Sequence, residues 1–238
     1  YCNVKNTILK LTNSEERILL LQQNISWFHK NKLYLTIIAI CSVYIAFEII
    51  YPNIKKNINV SNYIPLVEYP INLDSQKIIG DSNTLYQKGT NKRYTYSIQG
   101  WFYIDQNNPS HNVASNTDTT IINYGSVPKM TYNVKTRILS VVIKQGAKEE
   151  KKMFETNELA LQKWNFFVFN YTNGVMDFFL NTKLVATENN IVPFLHKDEI
   201  EVGEDNGISG GIRDVYYNIY PMSMFDIYST FVYGNLFK

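Results

Sequence analysis

Two aromatic-rich runs, Trp164 to Tyr171 (WNFFVFNY) and Val175 to Leu180 (VMDFFL), flank Thr172-Asn173-Gly174. Asn-Gly between β-prone runs is the strongest short signal for a hairpin, because a tight primed turn needs residues that accept positive φ. Strand signals recur on either side. Tyr94 to Ile104 alternates and carries WFYI; Thr119 to Tyr124, Met130 to Val134 and Arg137 to Lys144 follow. Glu199 to Val202 and Gly211 to Tyr220 complete the series. A polar loop runs from Asn107 to about Asp118, and Lys148 to Lys152 reads as a charged turn. Ten or so short strands without helical periodicity between them predict a mainly β fold, a two-sheet antiparallel sandwich. The 18 Tyr and 13 Phe agree, since aromatic side chains favour strands.

The N-terminal quarter differs. Leu33 to Tyr51 (LYLTIIAICSVYIAFEIIY) is apolar over about 19 residues, against roughly 20 needed to cross a hydrocarbon core. Leu33, Ile37, Ile38, Ile40, Val43, Ile45, Phe47 and Ile49 would face lipid, and Tyr34 and Tyr51 would sit at the two interfaces. Glu48 is the blemish, tolerable near a helix end. A buried core helix or a signal peptide are the competing readings. Before the span, Asn13 and Glu16 form a capping box. Ile18, Leu21, Ile25 and Phe28 then recur at helical spacing, which predicts a juxtamembrane amphipathic helix. The expected order is amphipathic helix 1–32, transmembrane helix 33–51, extended linker 52–80, β-sandwich 81–225 and aromatic tail 226–238. The reading is a single-pass membrane protein with the lipid bilayer as one partner.

A net charge of +2 argues against a nucleic-acid binder. Only Cys2 and Cys41 are present, so the region after Cys41 cannot form an internal disulfide, which favours a reducing compartment. Asn24, Asn59 and Asn170 open Asn-x-Ser/Thr sequons that an Asn-rich chain produces by chance.

The order and spacing of several motifs resemble the laminin-G-like, concanavalin A-like jelly-roll superfamily over Tyr94 to Phe225. The carriers are YSIQGWFYI (Tyr96 to Ile104), Trp164, Asn173-Gly174 and Asp177-Phe178-Phe179-Leu180-Asn181. Ile200-Glu201-Val202-Gly203, Gly210-Gly211-Ile212-Arg213-Asp214-Val215 and Pro221-Met222-Ser223 follow. Thr182 departs, standing where the family's turn places Gly. The resemblance implies a jelly roll and treats these residues as structural. It also makes calcium possible, with Asp118, Asp205 and Asp214 as candidate ligands; no other cofactor is expected.

Catalytic constellations are weak. Glu199-Ile200-Glu201-Val202-Gly203-Glu204 resembles the Glu-x-Asp-x-x-Glu strand of glycoside hydrolases, but it aligns with the non-catalytic Ile-x-Val-Gly strand. His29, His111 and His196 lack metal-ligand spacing. The chain is therefore read as a non-enzyme. Phe225, Tyr228, Phe231, Tyr233 and Phe237 form an aromatic C-terminal stretch suited to docking on a protein. With the tether and the Asn/Ile/Lys/Tyr-rich composition, this resembles minor capsid or membrane-anchoring proteins of large double-stranded DNA viruses. The implied place is the interface of a virion's internal membrane and its capsid or lattice proteins. The alternative is a membrane-tethered lectin or adhesion receptor that binds glycans.

Overall fold

The computed structural model describes residues 30–45, 63–81, 85, 95–106, 117–144, 150–192 and 199–236. The chain divides into two compact units, Tyr1–Ser61 and Asn62–Lys238.

The described element of the first unit is α1, Lys32–Ile45. Its two aliphatic hydroxyl side chains, Thr36 and Ser42, fold back onto the helix. Thr36 Oγ1 lies 2.7 Å from the Lys32 carbonyl oxygen, and Ser42 Oγ donates to the Ala39 carbonyl at 2.8 Å. Neither then requires an outside partner. Leu33, Tyr34, Ile37, Ile38, Ile40, Val43 and Ile45 are all exposed. Fourteen residues at about 1.5 Å each reach roughly 21 Å, short of a hydrocarbon core of about 30 Å. Among the described residues no helix is long and apolar enough to cross a membrane. The expected span is thus described only as far as Ile45. Phe47, Ile49, Tyr51 and the expected amphipathic helix lie outside the described residues.

The second unit is a sandwich of two antiparallel sheets. Its strands are β1 Tyr63–Val67, β2 Ile71–Asn72, β3 Lys77–Gly80, β4 Thr95–Ile104, β5 Thr119–Tyr124, β6 Lys129–Asn133 and β7 Ile138–Ile143. They continue with β8 Lys151–Thr156, β9 Trp164–Thr172, β10 Val175–Leu180, β11 Lys183–Glu188, β12 Ile200–Val202 and β13 Gly210–Asn218, before helix α2, Met224–Leu236. One sheet runs β1-β13-β4-β9-β10-β11, with β2 also on β13; the other runs β3-β12-β5-β6-β7-β8. Sequence-distant β4 and β9 pair from Thr95 opposite Thr172 to Tyr103 opposite Trp164.

The inward faces make the main core. Tyr96, fully buried, stacks on Tyr171 at 5.1 Å and Tyr217 at 5.7 Å, and its hydroxyl donates to the Val127 carbonyl. A buried phenol needs such an acceptor. At the expected hairpin, Asn173 and Gly174 have φ of 48° and 91°. Asn181 and Thr182 make the next turn with φ of 49° and 72°, so a β-branched residue holds the position that the motif would give to Gly.

Three expectations need correction. The linker expected over 52–80 contains β1, β2 and β3, so it belongs to both sheets from Tyr63 onward. The charged turn at 148–152 runs into β8, and β11 was not foreseen. Both are outermost strands that carry exposed Lys, β8 an exposed Glu155 as well, the kind of charge that keeps an edge from pairing with another chain. The aromatic tail is a helix packed on its own sandwich. Ser223 Oγ accepts from the Asp226 amide at 3.2 Å while Asp226 Oδ2 accepts from the Ser223 amide at 3.3 Å, a reciprocal cap.

That helix explains why β4 and β9 are buried on both faces. Asn170 clasps the preceding segment, donating to the Met222 carbonyl and accepting from its amide, each at 2.9 Å. Trp101, Phe166, Val168 and Phe179 on the sheet's outer face then form a second core with Met222 and Ile227.

Candidate functional site

The chain enters β9 through a turn in which Gln162 has φ of 56° and its amide donates to the Ile104 carbonyl at 2.9 Å. Beyond it, Asn165 Nδ2 donates to the Ala160 carbonyl at 2.8 Å and the Lys163 carbonyl at 3.1 Å. Asn181 ties the β10–β11 turn to the same place. It donates to Asn165 Oδ1 at 3.0 Å and accepts from the Phe166 amide at 2.9 Å. These amides are spent on structure, and they build a fixed floor. Above it, α2 brings Phe231 and Asn235, four residues and about one turn apart. The result is a cleft of about 500 Å³ lined by Ala160, Gln162, Lys163, Trp164, Asn165, Asn181, Phe231 and Asn235.

Trp164 links this cleft to Arg213 on β13. The guanidinium carbon lies 4.6 Å from the Trp164 ring centroid and 6.0 Å from that of Trp101, within cation–π range of both. Nη1 lies 3.6 Å from Asp214 Oδ2. Nε and Nη2, however, are buried without an acceptor; with Gln99 Oε1 they are the orphaned buried side-chain atoms among the described residues. Leaving such a group unpaired costs about 1–3 kcal/mol, more when it is charged. Asp214 has φ of 49° beside the β4–β13 register shift. Burial holds its carboxyl above the ordinary value of 3.8, and Arg213 pulls the other way.

The residues singled out from sequence fall in several places. Phe225 and Tyr228 face outward from α2, 74% and 61% exposed. Phe231 turns inward and stacks on Trp101 at 5.5 Å, part of the fold and of the cleft wall. Tyr233 is partly buried, and Phe237 lies outside the described residues. The calcium candidates are bound to different neighbours. Asp118 accepts from Asn133 Nδ2 at 2.8 Å, Asp205 from the Gln76 amide at 3.1 Å, and Asp214 faces Arg213. Among the described residues no group of three or more His, Cys, Asp or Glu is placed to hold a metal ion.

The glutamates of the hydrolase-like run are likewise engaged. Glu204 Oε2 accepts from the Thr120 amide at 3.0 Å and hydroxyl at 3.1 Å, and Glu201 Oε2 accepts from Asn123 Nδ2 at 3.2 Å. Glu199 is exposed, and all three His lie outside the described residues. Gln162, Lys163, Asn235 and the role of Arg213 were not foreseen. The cleft gathers residues from three separate stretches, 160–165, Asn181 and the helix carrying Phe231 and Asn235, and no local spacing announces it.

No protein-family model and no curated protein sequence matches the chain. Solved structures do. A crystal structure of a point mutant of HCR/D matches at 16% identity and a TM-score of 0.51, over 73% of this chain and 52% of that one. The receptor binding domain of botulinum neurotoxin mosaic serotype C/D matches at 16% identity and a TM-score of 0.51, over 72% and 50%. The serotype D ligand binding domain in complex with N-acetylneuraminic acid follows at 16% identity and a TM-score of 0.49, over 68% and 42%. The chain spans about half the length of the first two. These likenesses give no support to a capsid or virion role. At this identity they show the fold alone: a jelly-roll-like sandwich of two antiparallel sheets.

Proposed function

We propose that this chain is a non-catalytic recognition module, tethered to a membrane by its apolar N-terminal segment, whose β-sandwich binds a glycan in the cleft at Trp164. The carrying observation is the chemistry of the lining: Trp164 and Phe231 beside the Gln162 amide and Lys163, over the structurally engaged Asn165 and Asn181; among the described residues it holds no carboxylate, His, Cys or hydroxyl group. Sugars offer apolar C–H faces to aromatic rings and hydroxyls to amides, which both donate and accept. A glycosidase would need two carboxyl groups at the same place. The exposed apolar side chains of α1, and the return of its Thr36 and Ser42 hydroxyls to the helix backbone, support the tether. Exposed Phe225 and Tyr228 favour a second reading, in which α2 docks on a protein partner.

The test is a glycan array probed with the full chain in a detergent that has no sugar headgroup. Selective binding is expected, weakened about tenfold or more by Trp164→Ala and much less by Trp164→Phe. Absence of binding to every glycan, or binding indifferent to Trp164→Ala, would sink the proposal.

A further inference from the structure

Resting on that reading, we infer that the glycan is acidic, and that its carboxylate is held by the Nε and Nη2 edge of Arg213. Those two N–H groups point the same way from one side of the guanidinium, the fork that grips both oxygens of a carboxylate. They are the two atoms of Arg213 left without an acceptor, while Nη1 faces Asp214. The indoles of Trp164 and Trp101 engage the guanidinium as a cation, but no oxygen accepts from this edge, whereas Asn165, Asn170 and Asn181 all find oxygen acceptors within the fold. The site is next to the cleft, because Trp164 lines the cleft and also lies over the guanidinium at 4.6 Å.

The side chain as a whole retains 17% exposure, while Nε and Nη2 themselves are buried, so binding requires the guanidinium to turn this edge outward. The charge fits one carboxylate. Asp214 already sets one negative charge against the guanidinium, which disfavours a doubly charged phosphate. The fork grips two oxygens of a carboxylate or of a tetrahedral oxyanion alike, so the sulfated ligands of the test decide between them.

The test uses sialyl- and glucuronyl-terminated oligosaccharides, the same compounds with the carboxyl converted to a methyl ester, and their sulfated counterparts. Each is titrated calorimetrically into the full chain. At least one acid form is expected to bind roughly tenfold tighter than its ester, and Arg213→Lys, which keeps the charge but lacks the fork, is expected to erase that difference. The acid-to-ester ratio on the unaltered protein stands even if an Arg213 variant misfolds. Equal binding of acid and ester, or preference for the sulfated form, overturns this inference and leaves glycan binding at Trp164 intact. No binding of any form, with neutral glycans also silent on the array, overturns both.

Discussion

Gly234 on α2 lies against the face of Trp101. A Cβ added there would meet Trp101 Cζ2 at 2.5 Å and both Cε2 and Nε1 at 2.9 Å. Non-bonded carbons settle near 3.5–4.0 Å, so the helix would have to withdraw by about 1 Å. Trp101 has little room to yield: it is 2% exposed, with Phe166 at 4.9 Å and Phe231 stacked at 5.5 Å. Gly234→Ala therefore sets two effects against each other. Alanine favours the helix by about 1 kcal/mol, whereas overpacking costs about 1–3 kcal/mol. Weakening the Phe231–Trp101 stack adds to the cost. The expected net effect is destabilisation by about 1 kcal/mol, seen as a lower midpoint in urea unfolding of the full chain. For a unit of this size the melting temperature should fall by about 2–4 °C. The decisive control is the same change in a Trp101→Leu background. There the obstacle is gone, and Gly234→Ala should become stabilising by up to about 1 kcal/mol. A stabilising Gly234→Ala in the unaltered background would refute the packing of α2 on this indole.

Three further perturbations probe other parts of the account. Thr182→Gly should stabilise the domain by about 1 kcal/mol in thermal unfolding, because φ of 72° strains a β-branched residue. Glu204→Ala should cost about 2–3 kcal/mol by stranding the Thr120 amide and hydroxyl, while Glu204→Gln retains an acceptor and should cost less than about 1 kcal/mol. Neither should alter glycan binding. For Asp214 the folded carboxyl is held above its ordinary value of 3.8, by burial more than Arg213 offsets. The folded state therefore binds the proton more readily than the unfolded chain. The resulting contribution is full below 3.8 and is lost as pH rises through the raised value. Denaturation midpoints measured across acid pH should show that loss, and Asp214→Asn, which tolerates φ of 49°, should lack it.

The parts of the fold that are legible in sequence are those encoded locally. Asn173-Gly174 announces its hairpin because few other pairs accept φ of 48° and 91°, and the runs beside it are β9 and β10. The next turn is hidden. Thr182 gives no turn signal, and the conformation is secured at a distance by Asn181 bonding to Phe166 and Asn165. Edge strand β8 reads at its start as a charged turn because exposed Lys151, Lys152 and Glu155 interrupt its alternation, and β11, which opens on two exposed residues, gives no strand signal. Helix α2 was obscured by its own aromatics. Ile227 and Phe231 share the buried face at helical spacing, but Phe225 and Tyr228 are apolar and exposed on the other side. The cleft was the least legible. Gln162, Trp164, Asn181 and Phe231 meet only after two sheet crossings and the return of α2.

The most direct test of ligand recognition at this cleft is a titration of the full chain with an acidic oligosaccharide, followed at the Trp164 indole N–H by two-dimensional NMR. The signal is assigned by its absence in Trp164→Phe. The account predicts a saturable shift of that resonance together with the Arg213 Nε–H, both lost when the methyl ester replaces the acid at the same concentration. A Trp164 resonance that stays fixed while the ligand binds elsewhere, or while nothing binds, would contradict it.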